Sequence, residues 1–249
     1  MENLVYFIIS FGLMALFFIT MALIFLFMLR KNFKWIAVIS AGFIYCLVVF
    51  AGMYFFTQKA AGEDLVKYSA NEMQKNMDRA LDEAGKKGAS PQELAFVKSS
   101  IETMVIKPFP AWTLISAAFL IFLVYFIIRL NALNKYGIDD GMPPYEFWVL
   151  PEQVMWALIA CMSVLVFQAL VKNQLIQDIA YNGIFVFGAI YFTAGLSVIS
   201  YLFVKYKAPW MARFFFYLML VLWSFLGIIV ILAGMLDTWF NFRKLEKGG

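Results

Sequence analysis

From residue 4 to residue 29 the chain reads LVYFIISFGLMALFFITMALIFLFML, without one charged side chain. As a helix rising 1.5 Å per residue, such a run is about 39 Å long, more than the ~30 Å of hydrocarbon in a bilayer. Similar runs return at 35–57, 109–128, 153–171, 179–204 and 210–236. The chain is 63% hydrophobic and 14% charged, where an ordinary soluble domain has about a quarter of its residues charged. These runs predict an all-α integral membrane protein, a bundle of six transmembrane helices in contact with the lipid bilayer. The first run has no basic segment before it and is too long for the apolar part of a signal peptide, so it reads as a retained span. Trp35, Trp112, Trp148, Trp210 and Trp239 stand at or near the ends of runs, where indoles settle at headgroup level.

Three parts follow: spans one and two (1–57), a polar segment (58–108), and spans three to six with a short tail (109–249). The polar segment carries eight basic and eight acidic residues and reads as an extramembrane helical hairpin. Leu65, Tyr68, Met73, Met77, Leu81 and Ala84 give one apolar stripe, and Leu94, Val97, Ile101 and Val105 give another. Glu63 and Asp64 open the first helix and Lys86 and Lys87 close it, matching its dipole. Ser90-Pro91-Gln92-Glu93 has the form of a capping box with proline at the first helical position. The stripes pack on each other or on the bundle rim, or the hairpin docks a protein partner. Lysines and arginines are nearly balanced between the two sides once the hairpin is counted, so orientation stays open. Six spans put both termini on the same side.

The chain has no histidine, which removes the commonest general base and metal ligand. Cys46 and Cys161 lie in apolar runs and read as packing residues. No phosphate-binding loop, nucleophile–histidine pair or metal-ligand spacing is present, and the basic residues form no nucleic-acid patch. No catalytic residue, cofactor or metal is expected, and the chain reads as a non-enzyme. Asp139 and Asp140, in YGIDDGMPP, read as a turn rather than a divalent-ion site.

Ionisable residues inside a membrane are functional candidates because they are costly there, yet Arg129, Asp178 and Asp237 all stand at run ends. Uncharged polarity concentrates in the fifth run. There Asn182, Gly195 and Ser197 either pack helices closely or line a ligand cavity. In the second run Ala37 and Ala41 form an ordinary small-residue contact pattern. Asp237 and Arg243 are six residues apart and so are not neighbours on a helix. Either the chain turns back after Asp237 or each finds a partner elsewhere. The favoured reading is an interfacial stop, with Asp237 near the headgroups, Trp239, Phe240 and Phe242 as anchors, and Arg243 and Lys244 reaching phosphates.

Three stretches together carry a resemblance: KPFPAW with the span ending IIRL (107–130), PPYEFWVLPEQVMWALI (143–159) with Trp148 and Pro151, and YFTAGLSVISY (191–201) joined to GMLDTWFNFR (234–243). Over about residues 105–244 the chain resembles the YybS-like family of predicted bacterial multi-pass membrane proteins, a domain of unknown function. The resemblance implies a bacterial inner-membrane protein. It also implies a likeness to the substrate-binding subunits of energy-coupling-factor vitamin transporters, which separate ATPases drive. The link between the first two spans, 30–34, departs from that pattern, being too short to gate a pocket. Two functions are expected: a small-molecule binding or transport component, or a non-transporting scaffold that docks a partner through the 58–108 hairpin.

Overall fold

The computed structural model describes residues 2–61 and 65–245. All regular structure among them is helical. In order the elements are α1 (Glu2–Arg30), α2 (Trp35–Ala61), α3 (Leu65–Lys86), α4 (Pro91–Ile101), a π-helical turn (Glu102–Ile106) and α5 (Phe109–Tyr136). A 3-10 turn (Tyr145–Phe147) then leads to α6 (Gln153–Val166), α7 (Gln174–Lys205), α8 (Trp210–Leu222) and α9 (Ser224–Phe240).

Four helical stretches are long and apolar enough to cross a membrane: Gly12–Arg30, Trp35–Phe56, Phe109–Tyr136 and Gln174–Lys205. They match the expected spans one, two, three and five. The other two expected spans differ. α6 has 14 residues, about 21 Å of helix and short of the hydrocarbon thickness. Its partner α7 starts earlier than hydropathy suggested, because Asn173 caps it by accepting from Leu175 N and Ile176 N (3.0 and 3.4 Å). The expected sixth span is broken at Trp223, whose backbone is extended (φ −119°, ψ 98°), and the two helices make an angle of 111°. Neither proline nor glycine lies in 220–226; hydropathy measures composition rather than direction and passes over such a break. Four spans, or five if the bent pair counts as one, also remove the argument that put both termini on the same side.

Between α2 and α5 the chain forms two helices joined at Gly88 (φ 96°). Ser90 N and Oγ both donate to Glu93 Oε2 (2.8 Å each), and Glu93 N donates back to Ser90 Oγ (3.3 Å). Those bonds hold the Glu93 carboxyl below its usual range. Met77 is buried, whereas Phe96 on α4 is 74% exposed. α4 continues into the π turn, which ends at Ile106, just before Lys107 and Pro108. Glu63, Asp64 and the side chains of Leu65 and Tyr68 lie outside the described residues.

The described residues divide into two compact units, those up to Ser99 with Ser116–Met142, and Ser100–Ile115 with those from Pro143 onward. In the first, Met21, Phe25, Val38, Ile121 and Tyr125 are buried. The helices meet at Gly42, where a β-carbon would stand 2.7 Å from Phe25 Cζ and 2.8 Å from Ile121 Cγ2. A close contact therefore stands at Gly42. In the second unit Met155, Leu158 and Tyr191 form a buried cluster with Ile184 and Phe187 packed against it. α7 and α9 cross at two glycines. A β-carbon on Gly195 would overlap Val230 O, and one on Gly234 would overlap Tyr191 O. Gly195→Ala should therefore destabilise the protein by about 3 kcal/mol or more. Gly188→Ala on the same helix, with open space around it, should be near neutral; thermal unfolding in detergent compares the two.

Candidate functional site

The tail supplies the first part of the site. α9 ends at Phe240, and Asn241 takes the left-handed conformation (φ 45°) while its N–H donates to Asp237 O (2.9 Å). Asparagine tolerates that geometry at a helix C-terminus. Its side chain then bridges forward, accepting from Leu245 N (3.0 Å) and donating to Leu245 O (2.8 Å). The turn carries Arg243 back along α9. Arg243 Nε and Nη2 donate to Asp237 Oδ2 (3.0 and 2.7 Å). Nη1 donates to Glu146 O (2.7 Å) and Ser197 Oγ (2.8 Å), and Nη2 also to Trp148 O (2.7 Å). The Ser197 hydroxyl in turn donates to Tyr145 O (2.8 Å).

The three side chains at the centre are sequestered: Ser197 is fully buried, and Arg243 and Asp237 are 5% and 6% exposed. Arg243, expected to reach phosphates, is instead held on Asp237 inside the protein. Of the two routes open from the six-residue spacing, the chain takes the turn back. A carboxylate in the last turn of a helix opposes the helix dipole; the guanidinium, with two N–H groups on Oδ2, offsets that cost and solvates the charge. Among the described residues Asp237 Oδ1 is left buried without a hydrogen-bond partner, as is the Tyr191 hydroxyl.

The wall facing Arg243 is the non-helical backbone between α5 and α6. Tyr145 OH donates to Thr193 O (2.7 Å) on α7, and burial, with Tyr217 nearby, pushes the phenol up to about 12, keeping it a neutral donor. Trp148 Nε1 donates to Pro143 O (3.1 Å), and its ring meets Tyr145 edge-on at 5.0 Å. Trp148 O thereby points to Arg243. Pro151 is exposed just ahead of α6.

The remaining expected residues separate. Gly195 serves the α7–α9 crossing described above. Asn182 closes a chain junction: its Oδ1 accepts from Ala111 N (3.0 Å), and its Nδ2 donates to Lys107 O (3.3 Å) and Asp178 O (2.9 Å). It thus caps the N-terminus of α5 from another helix, on the far side of Pro108. Trp239 is 57% exposed, and Phe240 and Phe242 stack at 5.6 Å.

Sequence reasoning missed a second ion pair, in the first unit, whose aspartate is buried and whose arginine is partly exposed. Arg129 Nε donates to Asp140 Oδ1 and Oδ2 (2.9 and 3.1 Å), Tyr125 OH donates to Asp140 Oδ2, and Met142 N donates to Asp140 Oδ1 (3.2 Å). Asp139 is the turn residue, accepting from Gly141 N (3.0 Å). Among the described residues no group of three or more carboxylates and cysteines is set to hold a metal ion. The one signal in the sequence was Arg129 at the end of an apolar run, with two aspartates beyond a glycine turn.

A family of sequences described as predicted membrane protein (DUF2232) matches residues 3–238. The chain belongs to the DUF2232 family. The match takes in the first two spans and α3–α4, which lay outside the resemblance noted at 105–244. No curated protein and no solved structure matches the chain. In this DUF2232 protein the acceptors around Arg243 all fall within the matched residues, and Arg243 falls beyond them.

Two measurements test these roles. Asp237→Ala and Arg243→Ala should each cost about 3–5 kcal/mol, because each strands a buried charge, and the double variant should cost clearly less than their sum. Unfolding in detergent reads this. Asn182→Leu should cost ~1–2 kcal/mol and speed amide exchange at 107–112 while leaving the tail protected.

Proposed function

We propose that this DUF2232 protein is a small-molecule binding or transport component of a bacterial inner membrane, with energy for any transport supplied by a separate partner. The observation that supports the reading is the polar cage of Asp237, Ser197 and the carbonyls of Glu146 and Trp148. Keeping such a cage in an apolar protein is costly. Non-helical backbone at membrane depth is tolerated where it is buried in protein or lines a cavity, and transporters use such carbonyls and helix ends to hold ligands. Ser197 lies eight residues before Lys205, about 12 Å along α7, which is compatible with a site below the surface of the bilayer. No step in this reading is chemical, in keeping with a non-enzyme.

A second reading keeps the protein as a scaffold, with α3 and α4 docking a partner. Phe96 on α4, 74% exposed, favours it.

A native mass spectrum of protein taken from its own membrane in mild detergent separates the two. The binding component should carry an extra mass of a few hundred daltons that Asn182→Leu retains and Ser197→Ala weakens. A bare chain with a stoichiometric protein partner, released on deleting 63–106, would make it a scaffold.

A further inference from the structure

We infer that the cage is a guanidinium-binding site, and that Arg243 occupies it as the chain's own substitute for a guanidinium-bearing small molecule. This rests on the binding reading above and names its ligand class.

Arginine has five N–H donors in a fixed planar fork, and the cage uses all five: Nε on Asp237 Oδ2, Nη1 on Glu146 O and Ser197 Oγ, Nη2 on Trp148 O and Asp237 Oδ2. An ammonium has three donors on a point charge and would leave buried acceptors unmet. The acceptor set is therefore selective by geometry as well as by charge.

None of the acceptors belongs to the tail. They come from the turn before α6, from α7 and from α9, so the cage is complete before Arg243 arrives. Among the described residues the cage also holds an acceptor that Arg243 does not use, since Asp237 Oδ1 is buried without a partner. A free guanidinium ion has six N–H groups, one more than an arginine side chain. Arg243 itself reaches the cage on a short return turn in which both Asn241 (φ 45°) and Lys244 (φ 51°) are left-handed. A lysine in that region is disfavoured. The tail is held by side-chain contacts at the cage and by the Asn241–Leu245 bridge, and an occupant with the same donors competes for the first of these.

The test uses the full chain in detergent with methylguanidinium chloride as probe and methylammonium chloride as control. In wild-type protein, chymotrypsin, whose apolar pocket takes no guanidinium, should cut after Phe242 slowly. Methylguanidinium at roughly tens of millimolar, enough to compete with a tethered group of millimolar effective concentration, should speed that cut several-fold, and methylammonium should not. Arg243→Ala should melt lower than wild type and regain a large part of the loss, saturably, with methylguanidinium or guanidinium. The Asp237→Asn/Arg243→Ala double variant should regain none. Equal effects of the two probes would overturn the guanidinium assignment, since the cage would then read charge alone. No effect on the wild-type cut would overturn it even if Arg243→Ala does not fold. The two readings fail separately. A positive probe result on a chain that carries no small-molecule mass leaves the cage guanidinium-selective and removes the transport component. A bound mass with no probe effect keeps the component and removes this ligand class.

Discussion

An apolar environment offers no water to a broken helix, so every backbone group freed by a break needs a partner from within the protein. Several of the polar groups described above bond backbone groups freed in this way. At the α4–α5 junction, Tyr181 donates to Thr103 O (2.6 Å), Trp112 to Met104 O (3.0 Å) and Asn182 to Lys107 O (3.3 Å). At the α6–α7 turn, Gln177 donates to Val171 O (2.6 Å) while Asn173 receives the first amides of α7. Between α5 and α6 two arginines do the same work at higher cost, Arg129 on Met142 O (3.4 Å) in one unit and Arg243 on Glu146 O and Trp148 O in the other. Each guanidinium brings a charge that needs its own carboxylate, and so each comes with an aspartate.

The second unit adds a steric condition. Gly195 and Gly234 let α7 and α9 approach at backbone distance, two residues from Ser197 and three from Asp237 respectively. The crossing thus sets how near the hydroxyl and the carboxylate stand, and the guanidinium fills the space that remains. Gly183 serves the neighbouring contact, where a β-carbon would lie 2.6 Å from Cys161 Sγ. That cysteine acts as a packing group, as its apolar run suggested.

Four spans and the Ser90–Glu93 capping box were legible because each depends on residues close together in the chain. The break at Trp223 was not, because the residues around it are as apolar as those of any span and no proline marks it. α6 was overestimated for a related reason: hydropathy continues past Val166, while Asn173 and Gln177 settle where the turn lies. The Asp237–Arg243 pair was half legible. The spacing excluded a helical pairing, and an asparagine after the last aromatic residue of a helix is a known stop signal, but burial depended on a wall contributed by residues some ninety positions earlier. Arg129 and Asp140 could not be paired without knowing that Gly137 (φ 63°) and Gly141 (φ 72°) fold the chain back. Asn182 was singled out for its amide, and its partners are backbone groups that no sequence pattern displays.

Loops between helices usually drift in length, since insertions there displace nothing that matters. The connection from α5 to α6 is under the opposite regime. Met142, Glu146 and Trp148 present carbonyls to arginines in two separate units, and one added or lost residue would move a carbonyl away from a buried charge. In a family spanning most of this chain, that irregular segment should hold its length more strictly than the helices on either side, whose ends can lengthen or shorten by a turn at little cost.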